Sequence, residues 1–118
     1  MPNSIIETPT FRNLASKVTT PEVISELFEF MAKRPKAGDV IQGTGGCRKL
    51  RWQKDKHSGK SGGLRVIYYF HNEHIPLYAL VVFPKSVQSN ISQETKNQLK
   101  QMTQEIIHYH DGEQNGKF

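Results

Sequence analysis

Lys49 and Arg51 stand two apart in a run, Cys47 to Gln53, in which apolar and basic residues alternate, and Arg65 stands in a second extended run, Leu64 to Phe70. Residues two apart in a strand share a face. Lys49 and Arg51 are therefore predicted side by side, and pairing of the two runs would set Arg65 next to them. Three cations together are costly to bury and well suited to phosphate oxygens, which guanidinium groups bind through paired hydrogen bonds. Tyr69, on the Arg65 side of its run, offers a ring on which an unpaired base can stack; a packed core aromatic fits the same pattern equally well.

The charge balance points the same way. Sixteen Lys and Arg against eleven Asp and Glu leave the 118-residue chain at +5, a sign that favours polyanionic partners. Arg48, Lys49, Arg51, Lys54, Lys56, Lys60 and Arg65 fall between residues 48 and 65 against the single acid Asp55, with His57 among them. The residues predicted to contact RNA, beside the central three, are thus Arg48, Lys54, Lys56, His57, Lys60 and Tyr69. A solvated basic loop is the bland alternative for the segment.

Other chemistries fail on their own requirements. His57-Ser58-Gly59-Lys60-Ser61 resembles the end of a phosphate-binding loop, but that pattern needs glycine where Lys54 stands. Gly43-Thr44-Gly45 begins like a dinucleotide fingerprint whose third glycine position is Arg48. His71-Asn72-Glu73 matches half of a zinc deaminase signature with no Cys-x-x-Cys to complete it, and His108 and His110 lie two apart on a predicted helix and do not face one another. No metal site and no cofactor are expected. The single Cys47 allows no intrachain disulfide, no run approaches the length of a membrane span, and the first residues lack a signal-peptide pattern. A cytoplasmic protein without a membrane partner is the expectation.

The elements that must position these residues follow from spacing. Ser4 to Thr8 predicts a short edge strand, after which Phe11, Leu14 and Val18 recur at helical intervals. Thr20, Pro21 and Glu22 form a helix start, Val23, Ile24, Leu27, Phe28 and Met31 an apolar stripe, and Pro35 a stop. Gly38 to Gly46 is a glycine-rich connector, and Lys54 to Gly63 a polar loop between two strands. Ile75 to Phe83 predicts a third strand, and Ser92 caps a helix on which Leu99, Met102, Ile106 and Tyr109 keep helical spacing. The expected fold class is α+β: an antiparallel sheet made of an N-terminal strand plus a three-stranded meander, with two N-terminal helices and one C-terminal helix. Helices would cover one sheet face and leave the other partly open. One domain, residues 1–110, is expected, with 111–118 as a polar tail.

The stretch from Gly38 to Arg51, GDVIQGTGGCRKLR, followed by Gly62 to Phe70, GGLRVIYYF, resembles the RelE/ParE toxin superfamily and within it the HigB-type toxins. The resemblance runs from about Ile5 to Ile107. It implies a RelE-like fold and the toxin of a type II toxin-antitoxin system, a ribosome-dependent mRNA endoribonuclease that enters the ribosomal A site and cuts translated mRNA. A cognate antitoxin of the helix-turn-helix HigA type is the implied partner. By the same resemblance Lys49 and Arg51 match a basic pair on the first meander strand, Arg65 a central-strand arginine and Lys85 the basic residue just after the last strand. Together they would grip the scissile phosphate while the RNA 2′-hydroxyl, acting as nucleophile, attacks without a metal. The chain departs from the family in lacking the further Arg and Tyr often found after the last strand, where Ser86 to Asn90 follow Lys85. His57 and Tyr69 are the candidates for proton transfer in their place. Two other functions share the scaffold: a ParE-like poison of DNA gyrase, which has no need of clustered cations, and a basic RNA-binding module without catalysis.

Overall fold

The computed structural model describes residues 3–53, 63–86 and 91–115. In chain order the elements are β1 (Ile5–Glu7), α1 (Pro9–Val18), α2 (Pro21–Lys33), β2 (Asp39–Val40), β3 (Cys47–Trp52), β4 (Leu64–Tyr69), β5 (Leu77–Pro84) and α3 (Gln93–Asn115). The strands form one five-stranded sheet in the order β1-β5-β4-β3-β2. The α+β class with three helices is as the sequence implies.

Each helix starts where its cap dictates. The Thr8 hydroxyl accepts from the Phe11 N–H at 3.2 Å and donates to the Ala79 carbonyl at 2.9 Å, so one side chain begins α1 and ties it to β5. Thr20 accepts from the Val23 N–H at 3.3 Å, with Pro21 as the first helical residue of α2. Ser92 accepts from the Thr95 N–H at 3.1 Å ahead of α3. That helix continues through Asn115, so residues 111–115 of the expected tail are helical, and 116–118 lie outside the described residues.

Two features of the sheet differ from expectation. β1 pairs with β5 in parallel, Ile5 with Leu77 and Glu7 with Ala79, so the sheet is mixed. The physical reason is the connection: after β1 the chain passes through two helices and three strands before its partner is made, and nothing holds the pair to the hairpin geometry that would force antiparallel pairing. The second difference is β2, two residues that pair with β3 as Asp39 with Lys49 and Val40 with Arg48.

Strand alternation then builds two cores. Leu64, Val66, Tyr68, Leu77, Ala79 and Val82 face α1 and α2, whose Phe11, Ala15, Ile24, Leu27 and Met31 complete the first. Leu50 and Trp52 of β3 border it, the Trp52 ring 5.2 Å from that of Phe30. The Tyr68 hydroxyl donates to the Pro35 carbonyl and accepts from the Gly38 N–H, each at 2.8 Å, and so pins the link between α2 and β2 to the central strand. Cys47, Ile67, Tyr69 and Leu80 face the other way, and Leu99 of α3 closes over them. The helices therefore do not all lie on one face, as expected: α3 packs on the second, over one end of it. A bulge in β5 serves this arrangement: Ile67 pairs with Val81 and Tyr68 with Ala79, which leaves Leu80 as an extra residue. Leu80 and Val81 accordingly both belong to the core under α3.

Candidate nucleic-acid interface

On the uncovered end of the second face, β3 and β4 place Lys49 opposite Ile67 and Arg51 opposite Arg65. Arg65 is in turn opposite Phe83 of β5, so one row across three strands reads Arg51, Arg65, Phe83. Directly opposed residues in an antiparallel pair project to the same side, so Lys49, Arg51 and Arg65 share one face. Arg51 is exposed, and Lys49 and Arg65 are half-buried. Among the described residues the ion pairs are Arg12 with Glu7 and Lys33 with Glu29, so none of the three is in one, although Asp39 stands opposite Lys49 across β2 and β3. Like charges directly opposed across a strand pair are unfavourable. Arg51 and Arg65 are held together here by the packing of the sheet around them, which keeps the positive potential in place for an incoming anion.

Phe83, which the sequence reading did not single out, forms an apolar neighbour to Arg65 in that row. Its only sequence signal is its place in the strand alternation. Lys85, expected beside the group, follows Pro84, which pairs with Leu64. Its backbone N–H donates to the Gly63 carbonyl at 3.0 Å and its side chain is exposed. Lys85 therefore sits at the end of β5 that flanks Arg65.

Two other expected contacts are placed elsewhere. Arg48 points to the opposite face by alternation, where its guanidinium donates to the Gly38 carbonyl at 2.7 Å and to that of Lys36 at 3.2 Å. It braces the chain between α2 and β2 and is separated from the cationic row by the sheet. Tyr69 is only 3% exposed, packed in the core under α3 with its hydroxyl 3.0 Å from His71 Nδ1. Burial raises its pKa above the ordinary phenol value, with a further contribution from Cys47. A ring so enclosed has no face for a base to stack on, and the packed-aromatic reading is the one the geometry supports. Lys54, Lys56, His57 and Lys60 lie outside the described residues, in the segment joining the two strands that carry Arg51 and Arg65.

The start of β3 is set by a polar latch. Gly43, Gly45 and Gly46 adopt positive φ, and between them the Thr44 hydroxyl, fully buried, donates to the Ile41 carbonyl at 2.7 Å and accepts from the Cys47 N–H at 3.0 Å. From α3 the buried Thr103 hydroxyl reaches the carbonyls of Lys100 at 2.8 Å and Thr44 at 3.2 Å. A side chain at Gly45 would collide with the Thr103 hydroxyl, so glycine is required there for close approach as well as for backbone angle. Burial pushes the Cys47 thiol up to about 11, although its hydrogen bond with Thr44 acts in the opposite direction. It is a small core residue, not a nucleophile.

These features define a class, a small α+β domain that presents a cationic row, without an ion pair among the described residues, on the part of its sheet beyond the last helix. A comparison with protein families gives the class its identity. The family model described as the RelE toxin of the RelE/RelB toxin-antitoxin system matches residues 25–115, and the chain belongs to that family. It is a toxin-family protein, and the family implies an antitoxin as partner. Among the described residues no helix is long and apolar enough to cross a membrane.

Proposed function

We propose that the protein is a HigB-type toxin, a ribosome-dependent endoribonuclease that cuts mRNA in the ribosomal A site. The observation that carries the reading is the set Lys49, Arg51 and Arg65, on one face of two paired strands and without a described carboxylate partner. Such a set binds the scissile phosphate and holds positive charge where negative charge develops as the neighbouring 2′-hydroxyl attacks in line. Lys85, at the flanking end of β5, completes the grip. The nucleophile comes from the RNA, so the step makes no demand on a metal. Removing one preorganised donor from a developing oxyanion typically costs about 10²- to 10³-fold in rate.

The reading extends to partners. A cationic face that cleaves RNA must be silenced in its host cell, and a HigA-type helix-turn-helix antitoxin is the proposed partner. The test is cleavage of mRNA on programmed ribosomes against the same mRNA free in solution. The wild-type protein cuts the first and spares the second, while Arg65→Ala keeps its fold and loses cleavage. Intact ribosome-bound mRNA at full load of wild-type protein would refute the nuclease.

A further inference from the structure

The cationic face does not stop at β3. α3 lies against that strand, and on its N-terminal half Lys96 and Lys100 border the glycine turn that leads into it. The stem of Lys96 is 3.8 Å from where a side chain would begin at Gly43, and that of Lys100 is 3.8 Å from the same point at Gly45. Lys100 is exposed and Lys96 half-buried. Glycine at both turn positions keeps the surface beside each lysine stem low enough for a polymer backbone to pass.

The two lysines are four apart on a helix, a like-charge spacing that disfavours the helix unless an acid stands nearby. None does. The positions three and four residues away from them hold Ser92, Gln93, Asn97, Leu99, Thr103 and Gln104. Glu94 and Glu105, the nearest acids on α3, lie roughly 160° and 140° around the helix from Lys96 and Lys100 respectively. From the sheet, the acid closest in register is Asp39, opposite Lys49 and without an ion pair to any described cation. Cations therefore follow one another from Arg65 through Arg51 and Lys49 to the two lysines of α3, with Asp39, opposite Lys49, as the acid nearest them in the sheet register.

We propose that Lys96 and Lys100 form a second phosphate-binding site, which holds the RNA backbone of nucleotides flanking the one gripped by Lys49, Arg51 and Arg65. The proposal rests on the nuclease reading for what lies in the first site. The strand passes from the row across β3 and β4, over the glycine turn, and onto the side of α3. The site recognises backbone charge and not base identity, because lysine ammonium groups at a helix surface act as point charges.

The experiment measures binding of a 2′-O-methyl uridine dodecamer, which lacks the attacking hydroxyl, as a function of salt. Each single-strand phosphate contact contributes about 0.7 to the slope of log affinity against log salt. The double variant Lys96→Gln, Lys100→Gln is expected to lower that slope by about 1.4 with a melting temperature no lower than that of the wild type, and Lys96→Arg, Lys100→Arg to keep the slope. A 2′-O-methyl dinucleotide, too short to reach α3, should bind wild type and double variant alike. Wild-type slope in the glutamine variant, with a reduced slope in Arg51→Ala, Arg65→Ala, overturns the α3 site and leaves the central row standing. An unchanged slope in both double variants overturns the nuclease reading along with it.

Discussion

Arg51 and Arg65 are opposed across β3 and β4 with no described acid between them, and replacing Arg51 by glutamine is expected to make the protein more stable while lowering the mRNA cleavage proposed for it. Like charges directly opposite each other cost between about 0.2 and 1 kcal/mol. Two unit charges about 7 Å apart in a water-like dielectric repel by about 0.6 kcal/mol, in the same range. Arg51 is exposed and makes no hydrogen bond with a described residue, so the substitution relieves the repulsion and leaves no described group unpartnered. For a domain of this size, a gain of about 0.5 kcal/mol raises the melting temperature by about 2 °C. The gain should shrink as salt is added, because the Debye length falls from about 10 Å at 0.1 M to about 3 Å at 1 M. Single-turnover cleavage on programmed ribosomes should fall by about 10²- to 10³-fold. The assay pairs thermal denaturation at the two salt concentrations with that cleavage rate. A lower melting temperature, or a gain that is the same at 1 M salt, would show that the two guanidinium groups do not confront each other as described.

Three further outcomes follow from the packing. Tyr68→Phe leaves the Pro35 carbonyl and the Gly38 N–H without their hydroxyl partner, so stability in urea should fall by about 2 kcal/mol, with cleavage lowered through displacement of the segment that precedes β2 and β3. Gly45→Ala combines a positive φ with a collision at Thr103; it should cost at least about 1 kcal/mol and weaken the docking of α3, measured as faster hydrogen exchange in that helix. Cys47 is raised to about 11 by burial, so the folded state holds a proton that the unfolded state releases earlier. Its share of stability is full below the ordinary thiol pKa and is lost as pH rises towards 11, as urea midpoints between pH 8 and 11 should show, while a thiol reagent at pH 8 should leave the native protein unmodified.

The helices were legible because their signals are local. Thr20-Pro21-Glu22 and Ser92 each cap a helix within three residues of sequence, and the apolar stripe of α2 needs no partner to be recognised. The shared face of Lys49, Arg51 and Arg65 was legible for a similar reason, since alternation along two strands fixes sidedness once the strands pair. Alternation also contained the position of Arg48, whose neighbours Lys49 and Cys47 lie on the other face; grouping it with them by charge alone overlooked its parity. Tyr69 was a different problem. Its parity puts it on the face of Arg65, but whether that part of the face is covered depends on where α3 crosses, a contact in which Leu99 meets Tyr69 and Cys47 across thirty and fifty-two residues of sequence. The direction of β1 was equally hidden, because three residues carry no sign of whether their partner will run with them or against them.

The pairing of β1 with β5 also bears on how the molecule comes into being. Ile5 finds its neighbour at Leu77, and α1 and α2 spread their apolar sides over β4 and β5. A chain emerging from the translation machinery therefore exposes its first strand and two amphipathic helices long before the strands that shelter them exist. The two arginines are likewise apart until β4 pairs with β3. A nascent copy passes more than half of its synthesis as an unfinished surface, and its three central cations exist together only once β4 has been made.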